Sequence, residues 1–182
     1  MKRVIKVGGS LLDFPDLSEM FDRWLRPQPP ATNIIIGGGG GLVDVIRAWN
    51  AQSQINEVTA HWMCVDAMSI TARLLAERLH YFDIVDSMAT IKTTTTSAIF
   101  DAAHWIRESD LPARWSLTSD SIAAALAVEI GAAELVLMKS TSPPSSPMIA
   151  AELSSTGLVD AEFPIYSRGI PTFRIVNLRN LD

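Results

Sequence analysis

Lys6 stands two residues before Gly8-Gly9-Ser10, at the end of a short apolar run, and a second glycine run, Gly37 to Gly41, closes another apolar run. Glycine lets a backbone approach a ligand closely and adopt positive φ. Backbone N–H groups that open a helix favour an anion. Two such loops at the ends of two strands of a parallel sheet make a cradle for a polyphosphate. A tight turn accounts for Gly8-Gly9 alone, but five consecutive glycines are harder to explain that way, since each costs conformational entropy on folding. Lys6 is then either a snorkelling edge residue or a cation aimed at phosphates, and the glycines beside it favour the second. Thr118-Ser119-Asp120-Ser121 opens an alanine-rich segment. Asp120 there complements a helix dipole at the least.

The elements that must position these residues follow from hydrophobic patterning. Arg3–Val7, Asn33–Ile36, Glu134–Met138 and Thr172–Val176 read as strands. They lack clean alternation, which suits parallel strands covered on both faces. Helical spacing relates Leu17, Met20, Phe21 and Trp24, then Leu42, Val45, Ile46 and Trp49. A longer stripe runs Val58, Trp62, Val65, Met68, Ala72, Leu75 and Leu79. Ser119–Ile130 is apolar nearly all round and is followed by Gly131, a natural helix stop. Pro27–Thr32, Thr93–Thr96 and Ser140–Pro147 read as loops. This alternation predicts an α/β fold, a mainly parallel sheet sandwiched by helices, with residues 1–182 as one domain.

Composition narrows the class. The 182 residues are 48% hydrophobic, which predicts a folded globule with one sizeable core. A formal charge of −5 argues against general nucleic-acid binding. Cys64 is the only cysteine, so neither an intrachain disulfide nor a Cys-rich zinc site is expected, and a reducing cytoplasm fits. No apolar run approaches the roughly 20 residues of a membrane span, and no signal-peptide pattern opens the chain. There is no G-x-x-x-x-G-K-[ST] loop. A dinucleotide fingerprint lacks its third glycine because position 42 is Leu, and Glu57 opens a helix instead of ending a strand. A dinucleotide-binding oxidoreductase is therefore a minor alternative.

Three segments carry a family resemblance. Val4-Ile5-Lys6-Val7-Gly8-Gly9-Ser10 resembles the opening strand of amino-acid kinases, Ile34-Ile35-Ile36-Gly37-Gly38-Gly39 resembles their second glycine loop, and Thr118-Ser119-Asp120-Ser121 with the alanine-rich run resembles their helix start. Within that group the chain is similar to the kinase of methanofuran biosynthesis, which phosphorylates an aminomethyl-furanmethanol phosphate. The similar pieces are Trp115 to Ser121, His61 to Asp66, and Asp160-Ala161-Glu162-Phe163-Pro164-Ile165.

The resemblance implies a three-layer amino-acid-kinase fold, shortened at the C-terminus, that uses ATP and Mg²⁺ to phosphorylate a small phosphate-bearing metabolite. Lys6 would stabilise the transferring phosphoryl, and Asp120 would orient lysine or bind through magnesium. Gly8, Gly9, Ser10, Gly37, Gly38, Gly39, Lys139 and Arg168 would hold phosphates. His61, Asp66 and Ser119 would meet the acceptor, with Asp66 receiving its ammonium group. No direct protein metal site is implied. A homodimer through the long helix is a family expectation. The bland alternatives are a buried, satisfied His61 and a solvated Asp66.

One departure matters. Where relatives carry an acidic T-D-V-D-G turn, this chain reads Met138-Lys139-Ser140-Thr141-Ser142-Pro143-Pro144, and Arg168 stands near the position of a late lysine. Arginine is not a free substitute for lysine. The phosphate cradle looks intact while the nucleoside side looks rebuilt. A catalytically reduced nucleotide- or phosphometabolite-binding sensor or subunit is therefore the competing reading.

Overall fold

The computed structural model describes residues 1–143 and 149–181. The chain opens with β1 (Lys2–Val7), a 3-10 turn at Gly9–Leu11 and α1 (Leu17–Leu25). It continues through β2 (Thr32–Gly37), α2 (Gly40–Ser53) and the long α3 (Glu57–Arg78). Then come β3 (Asp83–Val85), α4 (Met88–Thr93), β4 (Ala98–Phe100) and α5 (Ala103–Glu108). Next are α6 (Ser119–Glu129), β5 (Glu134–Lys139), α7 (Ala150–Ser155) and α8 (Phe163–Tyr166). A 3-10 turn at Ser167–Gly169 leads into β6 (Phe173–Asn177). The strands form one six-stranded sheet in the order β3-β4-β2-β1-β5-β6. Every pairing in it is parallel.

The four strands expected from the apolar runs are present within a residue or so. β3 and β4 were not expected. Each has only three residues, too few to show a periodicity, and β3 forms the exposed edge with Ile84 open to solvent. The short α4, α5, α7 and α8 escape sequence reading for the same reason.

Alternation along β1 and β5 divides the core. Val4, Leu135 and Leu137 face one layer, with Ile122, Ala123, Val65 and Met68. Ile5, Val7, Val136 and Met138 face the other, with Phe21, Ala72 and Leu75. α3 therefore contributes to both layers, its first half to one and its second half to the other. Asn56 caps it, its side chain accepting from the N–H groups of Val58 and Thr59. The apolar stripe on α2 is only partly used, since Ile46 is buried while Leu42, Val45 and Trp49 are exposed. Gly131 ends α6 at φ +61°, the left-handed conformation a helix stop needs. No helix among the described residues is long and apolar enough to cross a membrane.

A charged network closes the end of the sheet opposite the glycine loops. Arg3 is 1% exposed; its Nε donates to Glu134 at 2.5 Å and its Nη1 to Asn33 at 3.1 Å. Arg174 donates to the other oxygen of Glu134 at 2.7 Å, and both guanidinium groups lie over the Trp24 ring. Removing one member strands the rest in low dielectric. Glu134→Ala should cost about 3 kcal/mol or more, because the buried Arg3 charge loses its counter-ion. Urea unfolding measures this; a loss under about 1 kcal/mol would mean that Asn33 and the Pro29 carbonyl suffice for Arg3.

Candidate active site

β1 and β5 are neighbours, with Lys6 opposite Leu137. Lys139 lies two residues beyond Leu137, hence on the same face as Lys6. That face is covered by α6, whose first turn carries Asp120. The three side chains meet there. Lys139 Nζ donates to Asp120 Oδ2 at 2.5 Å. Lys6 Nζ lies 2.9 Å from Oδ1, an ion-pair contact without the alignment of a hydrogen bond. Asp120 and Lys6 are each 4% exposed.

Burial works against the Asp120 carboxylate's charge, but Lys6 and then Lys139 more than offset it and hold the carboxyl below the usual range. Lys139 is pushed below the ordinary lysine value by burial first and by the like charge of Lys6 second, with Asp120 opposing both. The arrangement is one buried anion between two cations, with net positive charge left to face a ligand.

The glycine loops rise beside this triad. The N–H of Gly8 donates to the Met138 carbonyl, and that of Gly38 to the Val7 carbonyl, each at 2.9 Å. These bonds extend the parallel ladder one step past the strands and turn both loops at the same level. A Cβ on Gly9 would sit 2.4 Å from the Gly40 backbone nitrogen, so the loops touch backbone to backbone, and Gly40 has φ +60°. A cleft of about 500 Å³ opens above them. At one end its lining includes Lys6, Gly9, Ser10, Gly38 to Gly41, Asp120 and Arg179. The rest is formed by residues such as His61, Cys64, Val65, Met68, Arg114, Trp115 and Leu117.

The residues named from sequence divide accordingly. Lys6, Gly9, Ser10, Gly38, Gly39, His61, Ser119 and Asp120 line the cleft, and Lys139 reaches it through Asp120. Gly8 and Gly37 lie beneath it, Gly8 against the Met138 carbonyl and Gly37 against Thr71. Asp66 is not part of the cleft. Its side chain is 64% exposed and pairs with Arg107 at 2.5 Å. Five helical residues turn about 140° between His61 and Asp66, so one helix cannot aim both at one ligand. Arg168 is also elsewhere, exposed on the turn before β6. Arg179 takes the place expected for it, donating to the Ser10 carbonyl at 2.9 Å beside the first loop. Pro144 and Pro147 of the expected loop lie outside the described residues.

Arg114 carries no sequence signal, and Trp115 and Cys64, which fall in the similar stretches Trp115–Ser121 and His61–Asp66 without a role of their own, also sit on the cleft wall. Burial pushes the His61 imidazole below its ordinary value, against the opposing effects of the Arg114 carbonyl and Glu57, so the ring is neutral at pH 7. Its Nδ1 lies 3.2 Å from the Arg114 carbonyl, which assigns the proton to Nδ1. Nε2 is a buried acceptor without a partner among the described residues. Burial raises the Cys64 thiol, against Arg47, which argues against a thiolate nucleophile.

No protein-family model matches the chain, and no curated protein matches it in sequence. Solved structures do. The UMP kinase of Ureaplasma parvum superposes with a TM-score of 0.71 at 16% identity, over 99% of this chain and 91% of that one. The uridylate kinase of Archaeoglobus fulgidus gives 0.65 at 17%, over 98% and 93%. The aspartate kinase of Synechocystis gives 0.67 at 15%, over 96% of this chain but 38% of the larger enzyme. The chain thus has the α/β fold of these kinases, as its glycine loops led one to expect.

A depressed folded-state pKa stabilises the protein fully above the carboxylate's unfolded value, about 4, and that stability is lost as the pH falls through the lower folded value. Wild-type stability should therefore drop between about pH 5 and the acid limit. Asp120→Asn, already destabilised at pH 7 by its two unpaired lysines, should drop less, so that the two curves converge in acid. Urea midpoints at several pH values give the comparison. Parallel curves would show that Asp120 is not held ionised by the lysines.

Proposed function

We propose that the chain is an ATP-dependent phosphotransferase that passes the γ-phosphoryl to a small phosphate-bearing metabolite. The observation that carries this reading is the buried Lys6–Asp120–Lys139 triad directly beneath two touching glycine loops. Transfer of a phosphoryl group needs little covalent help from a protein; it needs positioning and cations where charge shifts.

The residues fit a triphosphate. The Gly9–Gly40 contact leaves no room for a side chain on Gly9, so a phosphate meets backbone there. Among the described residues no group of three or more His, Cys, Asp or Glu could cage a metal. Magnesium suits such a site when it arrives on the phosphates and keeps its waters, since both Asp120 oxygens already face ammonium groups. Bound MgATP supplies the phosphoryl group. Lys6 and Lys139 neutralise charge on it, and Asp120 fixes both ammonium groups so that little reorganisation is needed during transfer. Arg179, exposed at the rim, adds a cation on the first-loop side. Ser10 and Ser119 offer hydroxyls on either side of the triad.

The acceptor lies toward His61, where Val65, Met68 and Leu117 provide apolar walls and where Arg114, paired with Glu162, and Arg47, paired with Asp44, present guanidinium groups. An aminomethyl-furanmethanol phosphate is the specific candidate, supported by the resemblance of Trp115–Ser121, His61–Asp66 and Asp160–Ile165 to the methanofuran-pathway kinase. The exposed position of Asp66 removes it from that role. The competing reading, a nucleotide-binding sensor of the same fold, rests on the replacement of an acidic turn by Lys139-Ser140-Thr141.

Calorimetry with MgATP, followed by transfer assays with UMP, aspartate and the furan phosphate, separates the two readings. Lys6→Ala should leave the fold intact by circular dichroism and lower kcat by about 100-fold or more, with a smaller effect on MgATP affinity. Near-wild-type turnover in that variant would overturn the assignment of Lys6. Tight MgATP binding without transfer or hydrolysis would favour the sensor.

A further inference from the structure

Two stretches that attract attention in the sequence, Trp115 to Ser121 and Asp160 to Ile165, turn out to be bonded to each other. Asp160 lies in the connection between α7 and α8, about forty residues from α6 in the chain. Its Oδ2 accepts from the Thr118 backbone N–H at 3.2 Å, the Thr118 hydroxyl at 2.7 Å and the Ser121 N–H at 3.0 Å. Its Oδ1 accepts from the Ser121 hydroxyl, the Glu162 N–H at 3.0 Å and the Phe163 N–H at 3.1 Å. Six donors converge on one carboxylate.

Thr118 is the N-cap of α6, yet its own side chain makes no capping bond. The distant Asp160 performs that task. Two consequences follow. The N–H groups of Thr118 and of Ser121, in the first turn of α6, are committed to a protein carboxylate. And the clamped residues, Thr118 and Ser121, stand on either side of Asp120, whose own carboxylate meets the lysines.

We infer that Asp160 is a positioning residue: by clamping Thr118 and Ser121 it sets where the Asp120 carboxylate stands between Lys6 and Lys139. It touches no reacting atom. Its neighbour Glu162 holds a different stretch, accepting from Arg114 Nη2 and the Ser116 hydroxyl, each at 2.9 Å. The catalytic part of this inference rests on the proposed phosphotransfer; the structural part stands independently of it.

The test is the titration of the Asp120 side-chain carboxyl by ¹³C NMR in the full chain, in wild type and in Asp160→Asn. The sign discriminates. Removing a nearby negative charge would by itself lower the Asp120 pKa, whereas moving Asp120 away from its two lysines raises it. A rise in Asp160→Asn is expected; a fall, or no change, overturns the inference. If Asp160→Asn does not fold, Ser121→Ala removes a single donor and should shift the titration the same way by less, and an unchanged titration there overturns the inference equally. Glu162→Gln should leave the titration in place, and a shift as large as that of Asp160→Asn would mean that any loosening of this loop has the effect. In the transfer assay Asp160→Asn should lower kcat by about 10-fold or more with MgATP KM little changed, since small displacements of a catalytic group are costly. KM and kcat affected equally would contradict a positioning role. A wild type without transfer would sink the kinase reading while the titration still decides the role of Asp160.

Discussion

A carboxylate buried between two ammonium groups is the interaction on which the rest of the site depends. Each of the three charges is costly to remove from water, and each is tolerable only while the other two stay in place. The group therefore demands a rigid frame. Adjacent parallel strands supply it. Their register is fixed by hydrogen bonds, and a residue at the end of β1 and another at the end of β5 necessarily share a face when they are an even number of positions out of step. The helix that crosses that face needs only one acid in its first turn to complete the set.

The glycine loops follow from the same frame. β1 and β2 end at one level because the N–H groups of Gly8 and Gly38 continue the ladder past the strands. At that level two loops must pass within van der Waals distance of each other; Gly9 cannot carry a side chain without parting them, and Gly40 holds a positive φ that favours glycine. The cleft is thus bounded by backbone on the loop side and by fixed cations beneath. At the opposite, charged end of the sheet Arg3, Glu134 and Arg174 tie the same strands together, so β1 and β5 are held at both ends.

Legibility in the sequence tracked length and regularity. Four strands of five or six residues are long enough to stand out as apolar runs, and four helices of nine residues or more as helical stripes, and they were found. Strands of three residues and helices of four to six residues are not. In the site, Lys6, the loops and Asp120 were legible because unusual residue types stand at strand ends and at a helix start, where the backbone itself fixes their direction. Asp66 was misplaced because proximity in sequence on a helix is not proximity in space; Val65, four residues from His61, shares its face, and Asp66 does not. Arg168 was named for its position along the chain, and nothing in the pattern after β6 marks Arg179 as the arginine that turns back to the first loop. Asp160 was noticed as part of a similar segment, but its role lies in bonds to a helix about forty residues away, which no local pattern encodes.

These two kinds of legibility correspond to two parts of the cleft with different freedom to change. The glycine-loop end is built from strand termini, whose positions the sheet dictates; altering one residue there disturbs register, loop contact or the buried charges. The other end is built from one face of α3 and from the Arg114–Leu117 stretch. That wall is held through side chains, by Glu162 on Arg114 and Ser116 and by the Arg114 carbonyl against His61. Side chains on a helix face can be exchanged without moving the backbone, so the wall can be recut while the cradle stays the same. The proposed reaction class therefore rests on the triad, and the proposed acceptor on the less regular wall, since function is argued from a site and not from a fold.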